Sequence, residues 1–430
     1  MRRYLITFAI VGGILVAAFA LRSGFLAYAM YALVLVYIAS LVMSTLSLRG
    51  IECRRDINQT EVNIADVVHV TLIVKNKNPW PIPWVFLDER RPGMYPVKGD
   101  TARLQMFLPG QEIRMMYIVR FYKRGYHRLG PLTTESGDVF GLHRRFRVGA
   151  ARDYVTVLPR VMVIGEYDIG SRKPIGEIKF AHRMYEDPTR ISGVREYVAG
   201  DSLKRIHWKL TAATGTLYSK TYDPSVVTGA TIALDFHEGG YQDDKGEERA
   251  ELAVVTAASL ANFVFNSGEQ VGYFTNGRDA GERGLELKRA EIVGNRLAAQ
   301  QIADAEGKSD RLRPLQVPTG RGAAQVLHIL ESLARTELTD GLTMDRSLEH
   351  AYRRFRRDAT LLLLVPQVSD QLAVMLGALK SAGFSIAVFV ISNPAGCDAA
   401  QELLIGLNIP VMEIDGEHRL NALAFGKIPF

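Results

Sequence analysis

Ala230-Thr231-Ile232-Ala233-Leu234-Asp235, the run ATIALD at residues 230–235, is five small or apolar residues closed by an acid. A continuous run of this kind predicts a strand buried on both faces rather than one half in water. The pattern recurs at Gln270–Thr275, at Ala359–Val365 (ATLLLLV), and again over 385–391 and 410–414. Between these runs, helical periodicity covers 247–266, 322–334, 347–357, 371–382 and 398–407. In the first of these helices Leu252, Val255, Ala258, Leu260 and Phe263 are the buried candidates. Strands alternating with helices predict a doubly wound α/β domain over residues 228–430. A polar stretch rich in Arg, Glu and Gly, 276–312, interrupts it and is expected as an excursion with one short helix.

Upstream, residues 192–223 (SGVREYVAGDSLKRIHWKLTAATGTLYSKTYD) hold the chain's densest set of arginines, glycines and ring nitrogens. Val194 to Val198 alternates apolar with polar and predicts a short strand. Gly200 is free to turn the chain, and Asp201 or Ser202 is placed to cap a helix with Leu203, Ile206 and Leu210 on one face. Lys204, Arg205, His207 and Lys209 then point away from that face, with Trp208 between the two. The ordinary use of Arg195, Asp201, Arg205 and His207 is a hydrogen-bond network pinning a linker, 166–227, to the next domain. Asp201 and His207 offer a carboxylate and an imidazole, but the sequence places no nucleophile or oxyanion donor beside them.

The run V-R-E-Y-x-x-G-D-S-x-K-R-I-H-W-K-L-T-A, followed by Leu217, Lys220 and Tyr222, closely resembles family fifty-eight of the domains of unknown function. Arg124 to Leu132 (RGYHRLGPL) and Gly137 to Leu142 (GDVFGL) are similar to the same family. The resemblance implies a prokaryotic membrane protein with a von Willebrand A-like domain. Such proteins are often encoded beside a MoxR-type AAA+ ATPase, sometimes with a transglutaminase-like protein. It marks Arg195, Tyr197, Gly200, Asp201, Arg205, His207, Trp208, Lys209 and Lys220 as a partner-binding or interdomain motif.

A von Willebrand A-like domain also implies a metal site: D-x-S-x-S after the first strand, a Thr from a later loop, and a further Asp. Asp235 matches the first acid, but His237 and Gly239 stand where the serines belong. Thr343 is the candidate threonine, and Pro366-Gln367 falls where the second acid is expected. A hard cation wants several oxygens in near-octahedral order, and Asp235 with Thr343 falls short. His237 with Asp235 and Glu238 is a weak transition-metal set, since it has one imidazole only. No metal and no other cofactor is therefore expected. Pro318 to Ala323 lacks the Gly-Lys-Ser/Thr ending of a phosphate loop and reads as a glycine turn before a helix.

Between residues 49 and 165 the period changes to two. Strands are expected over 67–74, 80–87, 113–121 and 154–158, with turn signals between them, which predicts a β-sandwich-like domain. Pro81 and Pro83 suggest that the second of these is an edge strand. Residues 120–128 (RFYKRGYHR) and 143–147 (HRRFR) mix basic with aromatic side chains. No RNA-binding motif accompanies them, so an anionic lipid surface is preferred over nucleic acid, which is not expected; plain solvated charge is the commonest use of such runs.

The amino-terminal residues are apolar over 4–20 and 25–43, parted by Leu21-Arg22-Ser23-Gly24. Each run is about the 17–25 residues that cross a bilayer as a helix, so a transmembrane hairpin over 1–48 is expected. Arg2, Arg3, Arg49, Arg54 and Arg55 flank it, against Arg22 alone in the turn. This places both ends, and the large carboxy-terminal part, in the cytoplasm of a cell with an inner membrane. A signal peptide ending near Ala18-Phe19-Ala20 gives the same orientation, because the second run still stops transfer. The 430 residues carry a formal charge of +6, spread along the chain. Cys53 and Cys397 lie far apart and outside any C-x-x-C spacing, so neither a disulfide framework nor a zinc site is indicated.

The expected whole is a multi-domain α and β membrane protein: hairpin, sandwich and doubly wound von Willebrand A-like domain. Its expected function is that of a non-catalytic adaptor, with a MoxR-type ATPase as partner. A divalent-metal-dependent receptor and an enzyme using Asp201, His207 or Glu238 are the alternatives.

Overall fold

The computed structural model describes residues 12–13, 16, 24–90, 97–139, 141–164, 185–198, 206–225, 229–283, 290–305, 307, 310–356 and 359–422. Two compact units divide the chain: Met1–Leu158 with Ala280–Ser309, and Pro159–Asp279 with Asp310–Phe430.

The first unit begins with helix α1 (Gly24–Ser47), apolar on every side and without a charged residue. Its stretch Tyr28–Ser47 has a mean hydropathy of 2.0 and is long enough to cross a membrane. Phe25 is 83% exposed and Leu35 70%, whereas Ser40, Ser44 and Ser47 are buried where the last turns meet the sheet behind them. Of the first expected span, Gly12, Gly13 and Val16 are described and helical; the remainder lies outside the described residues.

After α1 come strands β1 (Ile51–Ile57), β2 (Glu61–Asn63), β3 (Val67–Asn76), β4 (Ile82–Glu89), β5 (Val97–Gly99), β6 (Ala102–Phe107) and β7 (Glu112–Arg120). β8 (Gly125–Leu129), β9 (Leu132–Gly137), β10 (Arg144–Val148) and β11 (Asp153–Leu158) complete the run. β1-β3-β7-β5 form one sheet and β10-β9-β4-β6 the body of another, with β2-β11-β8 as a third. Ile51, Leu72, Val74, Ile113 and Met115 of the first sheet meet Ile82, Val85, Leu87, Phe107 and Leu132 of the second, giving the expected sandwich core. β4 is not the edge strand that its prolines suggested, for it pairs with β6 on one side and β9 on the other. Pro83 sits at a register shift between Ile82 and Val85, where no ladder donor is needed.

The polar stretch expected as an excursion does more than loop out. Glu291–Val293 pairs antiparallel with β10. The helix Arg296–Asp304, capped by Asn295, buries Ala299 and Ala303 against Phe146 and Val148. Arg152 Nη2 donates to Ile302 O at 2.8 Å, fastening the helix end.

Inside the sandwich lies a buried ion pair. The Arg55 and Glu89 side chains are both 0% exposed and approach to 2.6 Å. Arg55 also meets Asp153, and Tyr117 OH donates to Glu89 Oε1 at 3.2 Å. Gly130 lets the guanidinium through, since a Cβ there would lie 2.2 Å from Arg55 Nη2. Arg55, counted with the flanking charges of the anchor, is thus an interior residue of the folded unit.

The second unit carries the doubly wound sheet. β12 (Tyr185–Glu196) and β13 (Tyr218–Ser225) pair as a separate ribbon, with helix α2 (Trp208–Thr214) between them. The main sheet is built from β14 (Gly229–Leu234), β15 (Gln270–Thr275), β16 (Leu315–Gly320), β17 (Ala359–Val365), β18 (Ile386–Ile391) and β19 (Val411–Ile414), in the order β16-β15-β14-β17-β18-β19. All neighbours are parallel except β16, an antiparallel edge strand. Pro318, expected in a glycine turn, lies within this edge strand, a position an edge tolerates because its missing N–H is not needed for the ladder. Helices α3 (Gly246–Asn266) and α4 (Ala323–Arg335) cover one face through Ile232, Leu234, Tyr273 and Leu364. α5 (Met344–Ala351), α6 (Asp370–Ser381) and α7 (Pro394–Leu404) cover the other through Ala233, Phe274, Leu363 and Val388. α5 starts three residues before its expected position and stops at Ala351, where a tighter turn, Tyr352–Arg354, takes over. α7 also starts early, because Asn393 caps it with Pro394 in its first turn.

Candidate functional site

In this strand order β14 and β17 are neighbours whose following helices lie on opposite faces. The chain therefore diverges at their carboxyl ends, the place where open α/β sheets bind ligands. Asp235 follows β14 directly. Its backbone N–H continues the ladder to Leu364 O at 2.9 Å, which fixes where the side chain starts.

The carboxylate is engaged from within the fold. Asp235 Oδ1 accepts from Asn276 Nδ2 at 2.9 Å and from His237 N at 3.2 Å. The same Asn276 Nδ2 donates to Leu342 O at 3.1 Å, while its Oδ1 accepts from Phe236 N at 2.7 Å. These partners fix the amide's orientation, because the flipped amide would set its oxygen against two acceptors. Burial raises the Asp235 carboxyl above its usual range, against the pull of the Asn276 and His237 donors. Asn276 thus ties the end of the first strand to the loop that leads into Thr343.

The von Willebrand A-like metal set does not fit these residues. An N–H group faces both Asp235 Oδ1 and Leu342 O, where a cation would need lone pairs. Thr343 caps α5 without a side-chain hydrogen bond to it. His237 Nδ1 accepts from Gly239 N at 3.1 Å, which uses it as a turn cap. Among the described residues, no three His, Cys, Asp or Glu side chains are grouped to hold a metal ion. Asn276 went unrecognised in the sequence, although an Asn directly after a predicted parallel strand is a usable signal.

The motif residues fall elsewhere, on the ribbon. Arg195 pairs in register with Ser219, and Lys220 with Val194. Tyr197 N donates to Leu217 O at 2.9 Å. Of the helix expected through Leu203, Ile206 and Leu210, Leu203 lies outside the described residues; Ile206 bridges Ser219, and α2 begins at Trp208. His207 is its cap, with Nδ1 accepting from Leu210 N at 3.1 Å. Trp208, placed between two faces by the periodicity, is 65% exposed, and Lys209 beside it is exposed too. Val194, Val198 and Leu217 are exposed on the same small element. Gly200, Asp201 and Arg205 lie outside the described residues.

Fold and site together define a doubly wound α/β unit with an internally bonded crevice, joined to a β-sandwich with an apolar helix. Residues 193–284 match the family described as "Protein of unknown function DUF58". The chain is also similar to "Uncharacterized protein YeaD" of Bacillus subtilis (strain 168), 22% identical over 237 residues. That match covers 54% of this chain and 57% of the relative, so the chain spans little more than half of the curated protein it matches. Both findings support the family that the 192–223 motif resembles. Among solved structures, proximal thread matrix protein 1 from the mussel byssus is 10% identical over 46% of each chain, with a TM-score of 0.27. Escherichia coli alpha-2-macroglobulin, from domain MG7 to the C-terminus, is 12% identical, covering 26% of this chain and 17% of that one, with a TM-score of 0.23. Likenesses of this size carry no functional inference.

Proposed function

We propose that this chain is a membrane-anchored, non-catalytic scaffold. It presents a von Willebrand A-like unit to a protein partner on the cytoplasmic side of the inner membrane. The observation that carries the reading is the Asn276 amide bonded to Asp235 and Leu342 O. It turns the crevice from a ligand site into part of the fold. The anchor is supported by the exposed apolar surface of α1, since patches of that extent mark contact with lipid or protein. Two membrane spans and cytoplasmic orientation follow from the sequence's paired apolar runs and its flanking arginines.

The contact surface is assigned to the ribbon, where Trp208, Val198 and Leu217 face solvent around His207 and Lys209. Exposed aromatic anchors of this kind dominate protein interfaces. The partner class, a MoxR-type AAA+ ATPase acting in assembly of envelope or metalloprotein complexes, is the one the family resemblance implies.

Detergent-solubilised protein tagged at Phe430 should recover an AAA+ ATPase from native membranes. Trp208→Ala should lose that recovery with unchanged melting. Recovery of no ATPase, or equal recovery by Trp208→Ala, refutes the partner or the surface respectively. Calorimetric titration with Mg²⁺ or Mn²⁺, wild type against Asp235→Ala, separates the scaffold from a metal-dependent receptor.

A further inference from the structure

We infer that the turn between β9 and β10, through Val139 and Leu142, is a second membrane contact that inserts into the lipid interface beside α1. The inference rests on the reading of α1 as a membrane span.

Three observations carry it. The first is depth. His143, at the end of the turn, bridges the apolar helix: Nδ1 meets Ser40 Oγ at 2.9 Å and Nε2 meets Tyr37 OH at 3.2 Å. The Tyr37 and His143 rings also touch edge to face, 4.9 Å between centroids. From Gly24, at about 1.5 Å per residue, Tyr37 and Ser40 lie roughly 20 and 24 Å along the helix. A hydrocarbon core of about 30 Å extends past both when the helix starts at the opposite interface, where Arg22 stands in the sequence. The turn is therefore held about 6–10 Å inside the near boundary, and helix tilt only deepens it.

The second observation is composition. Val139 is 64% exposed and Leu142 57%, on a turn whose Gly141 takes φ +71° with open space around it. Arg144, half-clear of the sheet and paired at 3.5 Å with Glu135, follows at once. Apolar tips flanked by arginine suit the boundary between acyl chains and phosphates.

The third is polar satisfaction. A segment entering low dielectric must pair its own polar groups. Asp138 Oδ1 accepts from His143 N at 2.6 Å and Oδ2 from Leu142 N at 3.2 Å. Trp84 Nε1 donates to Asp138 O at 3.1 Å, which sets an indole at the same level. Tyr37 and Trp84 are the aromatic types that favour this interface.

The test uses the full-length chain in phospholipid vesicles, with Cys53 and Cys397 replaced by Ala. A cysteine is placed singly at Leu142, at Leu35 in the helix, or at Thr60 beyond the far end of β1, and labelled with an environment-sensitive fluorophore. Lipids spin-labelled near the headgroup or near the chain terminus then quench the probes. Expected are quenching of the Leu142→Cys probe by the shallow label, with loss of about half its emission or more as for tips buried 5–10 Å, and little loss at Thr60→Cys. The Leu35→Cys probe should respond most to the deep label. Quenching at 35 with a probe at 142 no better quenched than that at 60 overturns the turn's insertion and leaves the anchor standing. No quenching at 35 refutes the anchor reading itself and, with it, this inference.

Discussion

Replacing Asn276 by Asp tests the crevice most directly. The substitution keeps the acceptor for Phe236 N but turns the amide nitrogen, which donates to Asp235 Oδ1 at 2.9 Å and to Leu342 O at 3.1 Å, into an oxygen. Two carboxylates would then stand about as close as a hydrogen-bonded pair. At an effective dielectric of about 20, charges 2.9 Å apart repel by roughly 5–6 kcal/mol. The pair escapes the full repulsion by holding one proton between them. Keeping that proton at pH 7 on a group with an ordinary carboxylate affinity costs about 4 kcal/mol, which caps the loss.

The folded pKa of the pair is raised above the unfolded one, so the mutant's deficit grows as pH rises and shrinks toward acid. Its slope is about 1.4 kcal/mol per pH unit between roughly pH 4 and 7. For a unit of this size, about 4 kcal/mol lowers Tm by roughly 8–16 °C. Thermal melts of wild type and Asn276→Asp from pH 4.5 to 7.5, with and without Mg²⁺ or Mn²⁺, supply the measurement. We expect the variant alone to gain stability from the cation, because only it brings two acids and a carbonyl together. Equal melting at pH 7 refutes the close pairing. A wild-type Tm that climbs with Mg²⁺ refutes the filled crevice and, with it, the scaffold reading.

Three further outcomes follow from other parts of the structure. Glu89→Ala leaves Arg55 buried beside Asp153 alone and should cost the first unit about 3–5 kcal/mol by chemical denaturation; the double variant Arg55→Met/Glu89→Leu should recover most of it, and no recovery counts against the ion pair as the source. Ala303→Asp places a charge between the inserted helix and Phe146, so hydrogen exchange over 144–148 should accelerate while β14 and β17 stay protected; equal protection at 144–148 would show that the insertion does not stabilise the sandwich. His207→Ala removes the cap of α2 and should cost about 1 kcal/mol, with His207→Asn close to wild type; identical losses would remove capping as its role.

Much of the β and α/β pattern was legible because burial writes itself into local composition. β14 and β17 are buried on both faces and read as unbroken apolar runs; β7 is half-buried and reads as strict alternation. Boundaries slipped where a local bond competes with periodicity. α2 begins after the His207 cap although Ile206 keeps helical spacing with Leu210, and β4 runs inside its sheet because a register shift absorbs Pro83. The exposure of Trp208 was not legible either, since its place between two faces depends on where the helix begins.

By itself the sequence determined the apolar helix, the order of β-rich and α/β regions, and the family motif, since each depends on neighbours along the chain. It also showed that Asp235 lacks serine partners. Only the tertiary structure decided what meets that acid. Asn276 lies forty-one residues away and reaches it through parallel pairing of β14 with β15, a contact no local pattern encodes. The same holds for Glu291–Val293: its Ile292-Val293 pair is too short to announce a strand inside a polar stretch, and it becomes one because β10 offers an edge to pair with. It holds for His143 too, which finds Ser40 and Tyr37 only once the sandwich has closed against the helix. Backbone pairing and buried polar satisfaction are settled between distant segments, so their outcome appears only when the chain is folded.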